Sequence, residues 1–348
     1  MQTNSVKKLF LSSGIAVFLV GCLMRISHIN YGIETLIVGI LIFGFGFVLP
    51  FLTPGKDNRT IHLPVSNYPN MLQSFGITGL VILGMLLLSP VSLILNDLIG
   101  KEASMLGYYL LAIGIPFGIA YSIRTDKTKM KSFNLTWGSK RIISVIAICS
   151  ISLLFGIASP IGSLIPMPES MKEAFMAFGG RTGIFAFILM VIAAPVLEEL
   201  IFRGIILDGL LRIYSPVKSI LVSSFLFGFV HLNPWQFVTG LVIGIFSGWV
   251  YYKTRSLLPS IVVHAAANLS GFGMRFLFDA DSSMDKSLVE MYGGWTNLIV
   301  VILGSLVVVL LCISYLNREF TKAAIKNGSV QQQHTSKSDF DASLVSNE

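Results

Sequence analysis

The chain has 348 residues, of which 53% are hydrophobic and only 12% charged, with a net charge of +7 and a mean hydropathy of +0.76. Soluble domains carry about 25% charged residues, so this composition excludes an ordinary soluble globule and indicates a polytopic membrane protein. The basic residues sit in short segments between apolar runs, which reads as orientation in a bilayer and not as a nucleic-acid footprint.

A membrane-crossing helix needs about 20 apolar residues. Ten stretches qualify, near residues 9–24, 31–53, 72–95, 103–123, 142–165, 183–203, 217–232, 235–252, 256–272 and 295–316. The expected fold is therefore all-α, a polytopic bundle of about ten transmembrane helices. Several stretches are short or carry a proline: Pro90, Pro116, Pro195 and Pro259.

Lys7 and Lys8 precede the first stretch, which ends before Arg25, a signal-like pattern. "LVGC", Leu19 to Cys22, also resembles a bacterial lipobox. A first spanning helix with a buried cysteine is the preferred reading, because four-residue matches in apolar runs arise easily. Cys22, Cys149 and Cys312 lie far apart in apolar runs, without the CxxC spacing of a thiolate metal site.

Lysine and arginine test the span count independently. With the N-terminus inside, 18 of the 25 basic residues fall in inner segments and 6 in outer ones, the remaining one being Arg203. That bias obeys the positive-inside rule and places both termini in the cytoplasm. Together with the short loops and the lipobox-like run, it suits a bacterial plasma membrane.

Between the fifth and sixth spans, "PESMKEAFMAFGG" has Ser170 and Glu173 in capping-box spacing and an apolar face, as in a short interfacial helix. The sixth span ends "APVLEELIFRG", with Glu198, Glu199 and Arg203 where hydrocarbon is the expected neighbour. A charge at the bilayer centre costs at least about 2.5–3.5 kcal/mol, so it faces a partner or a polar cavity. Glu199 and Arg203 are four apart and can pair on one helix face. Glu198 is rotated from them by about 100° and has no local partner. Pro195 removes a backbone hydrogen bond just before the glutamates and is expected to kink the helix.

The seventh span ends "FLFGFVH", with Phe227 and His231 four apart. The eighth carries Gly240, Gly244 and Gly248 on one face, a stripe that lets another helix approach closely. The ninth places His264 and Asn268 four apart with only alanines between. Residues 273–294 read as a solvated acidic loop. The polar tail from Asn317 reads as disordered. The expected organisation is N-terminal membrane helices over 1–139, a membrane core over 140–316 that the family resemblance given below makes catalytic, and a disordered cytoplasmic tail over 317–348.

These groups suit peptide-bond hydrolysis by two routes. A carboxylate kept from bulk water gains basicity and can activate a water molecule. Alternatively, Glu198, His231 and His264 could hold Zn2+ or another divalent metal that activates the water. Asn268 could stabilise the oxyanion. Read singly, a Glu/Arg pair or a histidine in a span is more often structural. The combination on three neighbouring spans carries the functional reading.

The three elements resemble the signature of the CPBP intramembrane proteases, the group that contains the type II CAAX prenyl endopeptidases and bacteriocin-immunity proteins. Its pattern EExxxR, FxxxH and HxxxN or HxxxD is matched by Glu198-Glu199-Leu-Ile-Phe-Arg203, Phe227-Gly-Phe-Val-His231 and His264-Ala-Ala-Ala-Asn268. The resemblance covers about residues 140–316. It implies a helical bundle with Glu198 as water activator, His231 and His264 as its partners, Asn268 as oxyanion stabiliser, and Glu199 and Arg203 as supports. The substrate it implies is a membrane-associated peptide or protein. Two rival readings are a non-catalytic scaffold or bacteriocin-immunity partner, and an ion- or proton-coupled transporter. The span boundaries put Glu198 nearer the inner end of its helix and His231 near the outer end of its own, whereas a common site needs them together.

Overall fold

The computed structural model describes residues 67–137, 139–169, 171–172, 181–276 and 286–345. The first two expected spans and Cys22 lie outside the described residues, as do Ser170 and Glu173. Among the described residues the regular structure is helical: α1 Met71–Leu87, α2 Ser89–Ile99, α3 Lys101–Thr128, α4 Lys140–Ser163, α5 Ile184–Leu210, α6 Pro216–Phe229, α7 Pro234–Thr254, α8 Leu257–Met274, the short α9 Leu288–Met291 and α10 Trp295–Val345.

Five of these helices (α3, α4, α5, α8 and α10) are long and apolar enough to cross a membrane, and six if the bent pair α1–α2 is one span. The expected count of ten is therefore not reached among the described residues. The expected span at 72–95 is broken by a 42° bend between α1 and α2, where Pro90 in the first turn of α2 cannot donate a backbone hydrogen bond. The expected span at 217–232 is a helix of only 14 residues, about 21 Å long against a hydrocarbon core of about 30 Å. The outward surface of α10 is apolar, with Ile299, Val300, Leu303, Val307, Leu310 and Leu311 exposed, as a lipid-facing wall requires.

One expectation for a polar segment is corrected. The segment 273–294 contains α9, started by a capping box in which Ser287 and Glu290 satisfy each other's backbone N–H groups. α10 runs over Trp295–Val345.

Two apolar clusters frame the interior. One joins α1, α3, α5 and α6 through Ile77, Val81, Ile113, Ile201, Phe202 and Phe227. The other joins α4, α7, α8 and α10 through Ile146, Leu153, Ile243, Val263 and Leu316. The glycine stripe of α7 packs on α6, as its spacing predicts. A Cβ at Gly240 would stand 2.9 Å from the Gly228 Cα, and one at Gly244 would stand 3.1 Å from the Ser224 Cβ. The α6–α7 hairpin is therefore held backbone against backbone.

The linker after α3 is fastened to the α7–α8 turn. Asn134 donates to the Arg255 carbonyl (3.0 Å) and accepts at its own carbonyl from the Leu257 N–H (2.9 Å), while the Ser256 hydroxyl donates to the Thr136 carbonyl (2.8 Å). This ties the front helices to the element that carries His264.

Candidate active site

α5 is not a uniform α-helix. Wide π turns over Ile188–Ala193 and Leu200–Leu207 flank the α-helical segment Ala194–Glu199. Such turns recur at functional sites because they re-aim side chains without ending the helix. The first has a local cause. The Ala194 N–H bonds to the Leu189 carbonyl, five residues back. The next donor in that register belongs to position 195, and Pro195 has no N–H. The Met190 carbonyl is thereby left free, and the Asn268 side-chain amide donates to it at 2.8 Å. Pro195 thus shifts the register of α5, which still passes as one continuous span of 27 residues.

Glu199 and Arg203 form the expected ion pair at 2.9 Å, both side chains fully buried. Arg203 also donates to the Gly244 carbonyl at 3.0 Å, an approach that the bare glycine backbone permits. Its guanidinium lies 4.5 Å from the Phe227 ring centre. The Arg203 Nε has no hydrogen-bond partner. The second Glu199 oxygen accepts from the Ser247 hydroxyl at 2.8 Å. Glu199 is in this way closed off on the core side.

Glu198 points the other way. Its Oε1 accepts from the Tyr109 hydroxyl of α3 at 2.5 Å. Its Oε2 is shielded yet has no hydrogen-bond partner, and lies 3.9 Å from the His264 Nε2. The opposite ring nitrogen of His264 is 3.3 Å from the Glu199 Oε1, but it is not aligned for a hydrogen bond.

His231 follows the end of α6. Its Nδ1 is 2.9 Å from the Phe227 carbonyl. A carbonyl can only accept, so Nδ1 carries a proton. Leu232, at φ 56°, occupies the left-handed region. Asn233 then caps α7 through Gln236 and donates to the His231 carbonyl at 2.9 Å. Phe227 stands edge-on to both imidazoles, at 5.5 Å from His231 and 5.2 Å from His264. One aromatic ring thus orients the arginine and both histidines.

Glu198, His231, His264 and Asn268 line one cavity of about 580 Å³, otherwise walled mainly by apolar side chains such as Val81, Met85, Ile113, Leu189 and Phe202. A smaller cavity of about 240 Å³ lies on the other side of His231, His264 and Asn268, bounded by Thr239, Gly240, Gly271 and Arg275. The structure therefore gathers the sequence-expected residues into one place. Glu198 and His231, expected at different depths, border the same cavity.

Residues 180–270 match the family model of Rce1-like type II CAAX prenyl endopeptidases.

The resemblance to the CPBP proteases read from the three motifs thus has independent support, and the Rce1-like segment contains all six expected site residues. The chain is also 35% identical over 81 residues to UPF0177 protein YxdF of Lactococcus lactis. That match spans 23% of this chain and 44% of the relative's own length. No solved structure matches the chain.

Among the described residues, no three His, Cys, Asp or Glu side chains are grouped so as to hold a metal ion. The expected ligand set of Glu198, His231 and His264 does not fit such an ion: Glu198 and His264 approach each other, but His231 does not complete the group. Three participants are not marked by the local motifs. Ser247 lies beside the glycine stripe, the Met190 carbonyl becomes available only through Pro195, and Tyr109 comes from α3, outside both the Rce1-like segment and the expected core 140–316. The only sequence signal for Tyr109 is a hydroxyl in the middle of the apolar run "GYYLLAIG".

Proposed function

We propose that this chain is an intramembrane endopeptidase in which Glu198 activates the hydrolytic water. The observation that carries the reading is the bare Glu198 Oε2, shielded and without a hydrogen-bond partner, opposite the His264 Nε2 in a largely apolar cavity. A gap of 3.9 Å is too long for a direct hydrogen bond. A bent bridge through one water, at about 2.8 Å from each atom, would close it.

Glu198 takes a proton from that water as its oxygen attacks the peptide carbonyl carbon. The tetrahedral intermediate then collapses, the C–N bond breaks, and the proton passes from Glu198 to the leaving amine. His264 orients the water. The imidazole of His231 borders the same cavity. The second hydrogen of the Asn268 amide is available to the oxyanion while the first holds Met190. The apolar lining suits a membrane-associated peptide. The distribution of lysine and arginine supports an orientation with both termini in the cytoplasm, and with the short loops it suits a bacterial plasma membrane.

The test compares new peptide N-termini in cells carrying the wild-type protein or Glu198→Gln at equal expression. Peptides present only with wild type are the expected result. Identical profiles, with any phenotype surviving the mutation, would refute proteolysis in favour of a scaffold. Proton flux dependent on a transported solute would favour a transporter.

A further inference from the structure

The Glu198 carboxylate has two oxygens in unlike surroundings, and the difference is made by a residue outside the Rce1-like segment. Oε1 accepts from the Tyr109 hydroxyl at 2.5 Å, whereas Oε2 has no hydrogen-bond partner. Tyr109 reaches Glu198 across 89 positions of sequence, and its ring lines the same cavity. We propose that Tyr109 is a positioning residue for hydrolysis: its hydroxyl holds Oε1, fixes the plane of the carboxylate, and leaves Oε2 as the sole base facing His264. This rests on the reading of the chain as a peptidase.

Three features support a specific role over general packing. The bond is made to a carboxylate, and hydrogen bonds to charged groups are about twice as strong as neutral ones. No other side-chain hydrogen bond to Glu198 is present among the described residues, so this bond is its one directional restraint there. The neighbouring Tyr108 spends its hydroxyl on the Met85 carbonyl of α1 at 2.7 Å, so α3 is anchored independently of Tyr109. Adjacent tyrosines on one helix thus divide two tasks, one holding the helix and the other aiming the base. The consequence is that the front helices form part of the active site, and residues 180–270 are not sufficient for it.

Tyr108→Phe serves as the control, since it removes one hydroxyl from the same helix without touching Glu198. The experiment uses the full-length protein in lipid nanodiscs. Its substrate is a synthetic copy of a membrane peptide whose cleavage depends on Glu198. Tyr109→Phe is expected to lower kcat by about ten- to a hundredfold, the loss of one hydrogen bond to a charged group, with KM unchanged. Tyr108→Phe should keep kcat within about threefold of wild type, since it removes only a neutral bond.

A second readout needs no substrate. The infrared difference spectrum of wild type minus Glu198→Gln isolates the Glu198 carboxyl band, and Tyr109→Phe should shift that band while Tyr108→Phe leaves it in place. An unchanged band, an unchanged kcat in Tyr109→Phe, or an equal loss in Tyr108→Phe would overturn the proposal and leave the peptidase reading standing. If wild type makes no Glu198-dependent cut, the peptidase reading fails instead, and with it the catalytic role of Tyr109.

Discussion

Consider the replacement of Arg203 by methionine, which keeps most of the side-chain volume and removes the charge. In the native protein Arg203 has no exposed surface. It makes the 2.9 Å ion pair to Glu199, the 3.0 Å hydrogen bond to the Gly244 carbonyl and the stacking contact with Phe227. The dominant cost is not the lost attraction. It is the Glu199 carboxylate left buried and uncompensated, with Ser247 as its remaining hydrogen-bond donor. Breaking a buried pair from one side costs about 3–5 kcal/mol. Removing both charges together, as in Glu199→Gln with Arg203→Met, should cost far less than the two single changes added, because no orphan charge remains. The assay is a double-mutant cycle by reversible denaturant unfolding in mixed micelles. A coupling of at least about 2 kcal/mol between the sites is expected. Single changes of about 1 kcal/mol that simply add would refute the reasoning, since surface-like energetics would mean that water reaches the pair.

Other expectations can be checked in the same system. Asn268→Ala should destabilise by about 1–3 kcal/mol by orphaning the Met190 carbonyl, and Pro195→Ala should recover part of that loss by supplying the missing backbone N–H; chemical unfolding of the single and double variants decides. Gly240→Val should lower both stability and cleavage, because its side chain would meet the Gly228 backbone at 2.9 Å; a wild-type melting temperature would contradict the close packing of α6 on α7. Ser247→Ala should cost about 1–2 kcal/mol through lost support of Glu199, with KM unaffected in a peptide-cleavage assay. Asn134→Ala should raise amide exchange at Leu257 by removing its partner's anchorage to Arg255, as hydrogen-exchange mass spectrometry would report.

Much of the site could be read directly from spacing, because helical periodicity turns four-residue intervals into shared faces. Glu199 with Arg203, Phe227 with His231, and the glycine stripe all behave as those intervals require. What periodicity cannot convey is contact between distant helices and departure from α geometry. Tyr109 is one hydroxyl in a run of apolar residues, and only tertiary packing brings it to Glu198. The first π turn of α5 arises from a missing donor at Pro195, where the sequence alone points to a kink instead. The end of α6 was hidden because the apolar run continues past its last helical residue, Phe229, into Val230. Hydropathy also made one span of 72–95, since it registers composition and is blind to the break before Pro90.

The touching backbones of α6 and α7 have a further bearing on how such a protein diversifies. Where Gly228 meets Gly240 there is no side chain left to trim, so the hairpin that carries His231 into the site has one spacing. The larger cavity is lined by side chains from α1 and α3, among them Val81, Met85 and Ile113, and methionine in particular adapts its rotamers to what it meets. The site resembles a vice with one fixed jaw and one padded jaw. Chemistry is bolted to the fixed jaw and adjustment belongs to the padding. Changes in the peptides that are admitted are therefore expected to accumulate along α1 and α3, in the part of the chain that the Rce1-like match leaves uncovered.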